Sequence, residues 1–357
     1  MTSRSASGGD VGRQTLSVVV PNYNHGAYVR EALDAILGQS FQPSEVIVID
    51  DASTDNSVAV IEEVAGCFPV VRLQRNEINR GVWWNINWGL SEAAGDFVYF
   101  GAADDKVLPD FFEKSMALLR AHPEAGLCST LTRVMGADGL DQGVLPTAVV
   151  SNRPAYFSPK QVSGLLSSIG LWIQGNTVIL RRQPLLDAGA FCPELHSLAD
   201  SFVDQVVALR HGACFIPEPL AAWRALPDTF SRQSFRNPRT RFAMVSRAIE
   251  LMEGRYRDDF PPRYAGAWQR EIAFDAGRAG ANEVRSQHAA WLSERLLAMR
   301  VSERTRTALL ALGIALVRVE WSLRLSVLMT TAPPHVLRRV FHRVLQRLLP
   351  GRRQYVA

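Results

Sequence analysis

The chain has 357 residues, 47% of them apolar and 21% charged, with a formal net charge of +4. That length and composition exclude a disordered chain and a disulfide scaffold, and suggest one large domain plus an appendage. The charge is unevenly distributed: residues 1–235 hold 17 Lys+Arg against 25 Asp+Glu, and residues 236–357 hold 22 against 10.

Residues 1–14 are rich in Ser and Gly and lack an apolar core segment, which predicts a disordered tail and not a signal peptide. Leu16–Pro21 reads as a buried strand, followed by a turn at Asn22-Tyr23-Asn24-His25-Gly26 and a helix from Tyr28 to Leu37. Val46–Ile49 is a second strand that runs into Asp50-Asp51-Ala52-Ser53-Thr54-Asp55. Ser53-Thr54-Asp55 is expected to cap a helix through Val58, Ile61 and Val64. Val70–Leu73 predicts a third strand, Trp84–Ala94 a helix, and Phe97–Phe100 a fourth strand running into Ala103-Asp104-Asp105. Trp83, Trp84 and Trp88 are expected to pack in the core against the sheet.

A helix is expected through Phe111, Met116 and Leu119, then a strand over Ala125–Thr130 and loop over 136–160. Further elements are a strand at Asn176–Leu180, a helix at Asp200–Arg210 and a strand at Ala213–Pro217. Strands alternating with helices predict an α/β domain with a mostly parallel sheet flanked by helices, and ligands bind such a sheet at the carboxyl ends of its strands. After residue 236 strand signals vanish, which predicts an Arg-rich helical region over 236–357. Its terminal helix, 335–349, sets Val336, Leu337, Val340, Phe341, Val344 and Leu348 against Arg338, Arg339, Arg343 and Arg347, a pattern suited to a membrane surface. Thr307–Met329 is too interrupted by Arg318, Glu320 and Arg324 to span a bilayer. Cys67, Cys128, Cys192 and Cys214 lack metal-site spacing and are expected to be buried thiols in a reducing compartment.

Two acidic clusters at neighbouring strand ends suit a divalent cation and a phosphorylated, hydroxyl-rich ligand. Val18-Val19-Val20-Pro21-Asn22-Tyr23-Asn24, Val48-Ile49-Asp50-Asp51-Ala52-Ser53-Thr54-Asp55, Asn79-Arg80-Gly81 with Asn87-Trp88-Gly89, and Gly95–Phe100 leading to Asp104-Asp105 stand in order along the chain. In that order and spacing, residues 15–235 resemble the family 2 glycosyltransferases of GT-A fold, a Rossmann-like nucleotide-diphospho-sugar transferase fold. The resemblance implies transfer of one sugar, with inversion, from a nucleotide diphosphate sugar, UDP- or dTDP-linked, to a hydroxyl of a glycan or lipid-linked acceptor. It implies Pro21, Asn22 and Tyr23 in the wall of the base pocket, Asp51 accepting from the base, Arg80 and Arg224 near the nucleotide, and Asp104 with Asp105 on a divalent metal (Mn²⁺ or Mg²⁺).

By the same resemblance, Asp200 is the general base, with Asp204 one turn on as the alternative. The chain departs from the family pattern at Ala102, Ala199 and Leu226, each in place of a polar group, and these motivate a rival reading as a catalytically impaired nucleotide-sugar-binding scaffold. A nucleotidyltransferase would want a Gly-rich phosphate loop near the N-terminus, and residues 15–30 hold none. No Gln-x-x-Arg-Trp motif of a processive synthase occurs, and no nucleic-acid recognition motif is seen. A cytoplasmic enzyme, peripheral at the inner membrane face, in bacterial surface polysaccharide synthesis is the expectation.

Overall fold

The computed structural model describes residues 14–268, apart from Asp228, Arg232, Gln233, Phe235, Arg236, Arg263 and Ala267. The expectations for the N-terminal tail up to residue 13 and for the terminal helix 335–349 lie outside the described residues. Among the described residues, one compact unit comprises 14–166 together with Leu171–Phe260, and Ser167–Gly170 and the residues from Pro261 onward belong to a second. Among the described residues no helix is long and apolar enough to cross a membrane.

The first unit is an α/β layer structure. Its strands are β1 (Leu16–Asn22), β2 (Glu45–Asp50), β3 (Val71–Arg75), β4 (Phe97–Phe100), β5 (Lys106–Val107), β6 (Leu127–Met135), β7 (Asp141–Val144), β8 (Ala155–Phe157), β9 (Ile179–Arg181) and β10 (Ala213–Arg224). The sheet runs β3-β2-β1-β4-β9-β6-β10-β5, with β7 on β6 and β8 on β10. The ladders β3-β2-β1-β4 and β6-β10 are parallel and carry most of the pairing, while β9 lies antiparallel between β4 and β6. The segment 136–160, expected as loop, carries β7 and β8. Both are short, and they form because longer neighbours offer them backbone partners.

Alternation along β1 sends Val18 and Val20 to one face and Val19 to the other. Helices α1 (Val29–Leu37), α2 (Ser57–Cys67) and α4 (Phe111–Ala121) cover the first face through Leu33, Ile36, Ile61, Phe111, Phe112 and Met116. Helices α3 (Val82–Glu92) and α7 (Ala199–His211) cover the second. The remaining helices are α5 (Pro159–Ile169), α6 (Arg182–Asp187) and α8 (Pro238–Glu253), the last packed on the 3-10 segment Pro193–Leu198. Of the expected Ser53-Thr54-Asp55 cap, Asp55 supports the start of α2: its carboxylate accepts from the Ser57 backbone N–H at 2.9 Å.

The three tryptophans are not core residues. The side of α3 facing the sheet carries Asn85, Ile86, Gly89 and Leu90, whereas Trp84 is 37% exposed and stacks on Trp88. Gly89 explains the inversion. A Cβ there would stand 2.4 Å from Val19 Cγ1 and 3.2 Å from Ile49 Cδ1, so the helix backbone approaches too closely for bulk on that side. Gly89→Ala is therefore expected to destabilise the fold by about 1–3 kcal/mol through overpacking, despite Ala's better helix propensity. Urea unfolding would show this as a lower midpoint at unchanged slope.

Candidate active site

In-register parallel pairing aligns Asn22 of β1 with Asp50 of β2, so the ends of β1, β2 and β4 share one sheet edge. Asn22 donates from Nδ2 to Asp50 Oδ2 at 2.8 Å and to Ser53 Oγ at 3.2 Å. Its Oδ1 is buried without a partner, an acceptor at the strand end that a ligand donor would satisfy. Tyr23 follows, 45% exposed.

Asp51 is buried and organises the loop after β3. Its Oδ1 accepts from Asn76 Nδ2 and the Arg80 backbone N–H, and its Oδ2 from the Gly81 backbone N–H, each at 2.8 Å. A carboxylate has about four acceptor sites, which leaves one for a further donor. Asn76 also donates to Asn85 Oδ1 at 2.7 Å, joining the loop to α3. The Arg80 guanidinium lies 4.4 Å from the centre of the Trp84 ring.

The acidic loop after β4 rests on Arg224, whose side chain is 2% exposed. Nε donates to the Asp104 carbonyl at 2.8 Å, Nη1 to the carbonyls of Gly136 and Ala137, and Nη2 to Glu31 Oε2 at 2.6 Å, while the backbone N–H donates to Asp105 Oδ1 at 2.9 Å. The guanidinium also lies 4.6 Å from the Tyr28 ring centre. The sequence-based expectation set Arg224 near the nucleotide; the structure places it beneath the acidic loop, with its donors on protein oxygens. Glu31 bonds Lys106 at 3.0 Å as well, and against the opposing pull of partial burial these two cations hold its carboxyl below the usual range.

The two loop carboxylates differ. Asp105 is buried, and burial followed by the Asp104 charge pushes its carboxyl well above the usual range, against the Arg224 N–H. The same burial and the Asp105 charge push up the buried Tyr99 hydroxyl, which donates to the Asn176 carbonyl at 3.1 Å. Asp104 is only partly buried, and among the described residues its carboxylate takes no hydrogen bond. No cluster of three or more metal-ligating side chains occurs among the described residues. A lone unengaged carboxylate beside a second one fits Mg²⁺ or Mn²⁺ completed by ligand phosphates and water, the way these ions bind in phosphoryl-ligand sites.

Helix α7 brings Asp200 to the same region. Its Oδ2 would lie 2.6 Å from a Cβ on Gly175, so only the missing side chain of that residue admits the carboxylate. Oδ1 accepts from the Ser201 N–H at 2.7 Å. Burial raises its pKa, more than that N–H lowers it, yet the residue keeps partial exposure. Asp204 is buried one turn behind, and burial followed by the Asp200 charge pushes its carboxyl well above the usual range. The turn Gly175–Thr177 connects the two halves, since Gly175 abuts Asp200 while Asn176 holds Tyr99 and accepts from Thr132 Oγ1 at 2.9 Å. Sequence reading overlooked Glu31, Asn76, Gly175 and Asn176. Gln174-Gly175-Asn176-Thr177, polar between apolar runs, was the available signal for the last two. Of the cysteines, Cys128 and Cys214 are buried, whereas Cys67 is exposed and Cys192 half-buried, and all four are free thiols.

Arg224→Met is expected to cost about 2–4 kcal/mol, because loop carbonyls lose a charged donor and the ion pair to Glu31 is broken. Chemical denaturation would read this, and a change below about 0.5 kcal/mol would contradict the strut. Asp204→Asn is expected to raise the melting temperature more at pH 8 than at pH 5. The folded state holds the Asp204 proton to a higher pH than the unfolded chain does, so wild-type stability declines as pH rises from the unfolded pKa towards the folded one, and the amide removes that slope.

A sequence model described as Glycosyl transferase family 2 matches residues 17–181. An uncharacterized protein of Mycobacterium tuberculosis is 31% identical over 215 residues, 58% of this chain and 66% of that protein, just under two thirds of its length. The uncharacterized glycosyltransferase YibD of Escherichia coli is 38% identical over 103 residues, 29% of this chain and 30% of that protein. Among solved structures, S. aureus TarS 1-349 in complex with UDP superposes with a TM-score of 0.57 at 19% identity, covering 84% of this chain and 87% of that one. The mannosyltransferase PcManGT from Pyrobaculum calidifontis, in complex with GDP-Man and Mn²⁺, gives 0.52 at 21% identity, covering 86% and 81%. The matched segment spans the strands that carry Asn22, Asp51 and Asp104: over residues 17–181 the chain is similar to the family 2 glycosyltransferases, and its fold is the GT-A fold of the solved ones.

Proposed function

We propose that the chain transfers one sugar from a nucleotide diphosphate sugar, UDP- or dTDP-linked, to a hydroxyl of a glycan or lipid-linked acceptor, with inversion at the anomeric carbon. The observation that carries the reading is an unengaged carboxylate, Asp104, on the loop after β4, together with a desolvated, still reachable one, Asp200, lodged against Gly175. Pro21, Asn22 and Tyr23 line the base pocket, Asp51 offers its remaining acceptor site to a pyrimidine N–H, and Arg80 faces the diphosphate. Asp104 would hold the divalent metal, with Asp105 behind it as a second charge. A bound metal supplies Lewis-acid stabilisation of the departing diphosphate.

Asp200 accepts the proton of the attacking hydroxyl as the acceptor oxygen bonds to the anomeric carbon. The bond from that carbon to the phosphate oxygen breaks, and its electron pair leaves with the nucleoside diphosphate. A base is most effective when its pKa lies near the working pH, and burial moves Asp200 in that direction. Relatives that bind UDP and GDP-Man on the same fold support a nucleotide-linked donor. The basic helix 335–349 would hold the enzyme at a membrane surface, where a lipid-linked acceptor in surface polysaccharide synthesis is found.

Nucleoside diphosphate release from a panel of nucleotide sugars, with Mn²⁺, Mg²⁺ or chelator, tests the reading. One donor is expected to turn over slowly without acceptor. Asp104→Asn is expected to abolish metal stimulation, and Asp200→Asn to lower transfer roughly 10²–10⁴-fold. The wild-type kcat/KM is expected to fall as pH drops through a carboxyl pKa above the ordinary value, since protonation removes the base. Donor binding without turnover in any arm would favour the impaired scaffold suggested by Ala102, Ala199 and Leu226.

A further inference from the structure

His196 has φ 45° and ψ −127°, a backbone conformation that side-chain-bearing residues rarely adopt, and it sits four residues before Asp200. Strain of this kind persists only where the surroundings enforce it, and it concentrates where a side chain must be presented to a ligand. No hydrogen bond or ion pair of the His196 side chain is present among the described residues, so nothing of that sort accounts for the strain. Its ring instead stacks on Phe230, at 6.4 Å and 28°, and Phe230 is 44% exposed.

The stacked pair is one end of an aromatic series. Phe230 meets Trp83 edge-on at 6.3 Å, Trp83 stacks on Phe191 at 5.5 Å, and Phe191 meets Phe100 edge-on at 4.9 Å. Phe191 is fixed by a reciprocal clamp, in which Asn87 Nδ2 donates to its carbonyl at 2.8 Å and its own N–H donates to Asn87 Oδ1 at 3.1 Å. Phe100 stands four residues before Asp104, as His196 stands four before Asp200. The aromatic surface thus runs from one carboxylate segment to the other, rigid in the middle and open at Phe230.

We propose that Phe230 and His196 form the platform on which the acceptor's terminal pyranose ring stacks, presenting its hydroxyl to Asp200. The inference rests on the assignment of Asp200 as the base. An aromatic face on the segment that leads into Asp200 matches the chemistry of a sugar, whose axial C–H groups would lie on the ring while its hydroxyls reach the acid. A lipid tail would want a longer apolar surface without a carboxylate at its end.

The test uses the full chain with UDP and dTDP as nucleotide probes, and methyl pyranosides of glucose, galactose, mannose and N-acetylglucosamine as acceptor probes, read by saturation-transfer NMR. At least one pyranoside is expected to show transfer to its ring protons, and Phe230→Ala is expected to weaken that binding about tenfold or more while the nucleotide Kd stays within twofold. His196→Gly relieves the strain, so its melting temperature is expected to rise while pyranoside binding falls; a purely structural role for His196 predicts no loss of pyranoside binding. Nucleotide binding with no pyranoside binding, or pyranoside binding indifferent to both variants, would overturn the platform and leave the transferase reading standing. Capture of decyl phosphate in place of every pyranoside would likewise overturn it, in favour of a lipid surface. Failure of both nucleotides to bind would instead sink the donor assignment itself.

Discussion

A buried guanidinium holds the acidic edge of this protein together. Arg224 ends β10, yet its donors reach the Asp104 carbonyl on the β4 loop, two carbonyls after β6 and the Glu31 carboxylate on α1. A charge taken out of water must be matched by several well-placed acceptors, and here the acceptors come from three separate parts of the chain. The loop carrying Asp104 is consequently fixed at its backbone. Its side chain remains without a partner among the described residues. Fixing the peptide while leaving the carboxylate unengaged is what a ligand-binding acid needs, since binding then requires no prior rupture of a protein contact.

The neighbouring loop is built on the opposite economy of charge. Asp51 gathers two backbone N–H groups and an Asn side chain around one carboxylate, so a buried anion here is offset by hydrogen bonds and not by a cation. Asn76 then ties the assembly to Asn85 of α3. One strand-end loop is therefore neutralised by Arg224 from below and the other by its own peptide groups. Both solutions leave the outward side of the edge negatively charged, which is unfavourable for a bare diphosphate. A diphosphate accompanied by a divalent cation meets no such penalty.

Much of this was readable before the structure, and the reasons differ by element. Strands β1, β2 and β4 are short apolar runs, the first two ended by Asn22 and Asp50, and burial on both faces makes such runs unmistakable. β7, with sequence Asp141-Gln142-Gly143-Val144, is largely exposed and exists only because β6 offers it an edge, so no local pattern announces it. The Arg224–Glu31 pair joins residues 193 positions apart, and nothing in either neighbourhood marks the partner. The tryptophans of α3 misled for a packing reason: hydrophobicity favours burying them, but the helix lies so close to β1 at Gly89 that a side chain there would clash, and residues smaller than Trp, Asn85, Ile86 and Leu90, fill the rest of the sheet side. The acidic positions were legible as positions. Their distinct environments, Asp104 unengaged, Asp105 held by a backbone N–H and Asp200 lodged against Gly175, come from tertiary contacts alone.

The departures at Ala102 and Ala199 acquire a physical meaning in this setting. An acid at 199, adjacent to Asp200, would add a like charge beside a carboxyl that burial already pushes up. The chain places its second acid at 204 instead, one turn deeper, where burial followed by the Asp200 charge pushes its carboxyl well above the usual range. Asp200 keeps partial exposure while Asp204 is buried, so the two acids sit in different environments. The acidic loop follows the same logic, with Asp105 buried and pushed up behind a more exposed Asp104. In each case a front carboxylate keeps partial exposure and a rear one is buried, its pKa pushed well above the usual range.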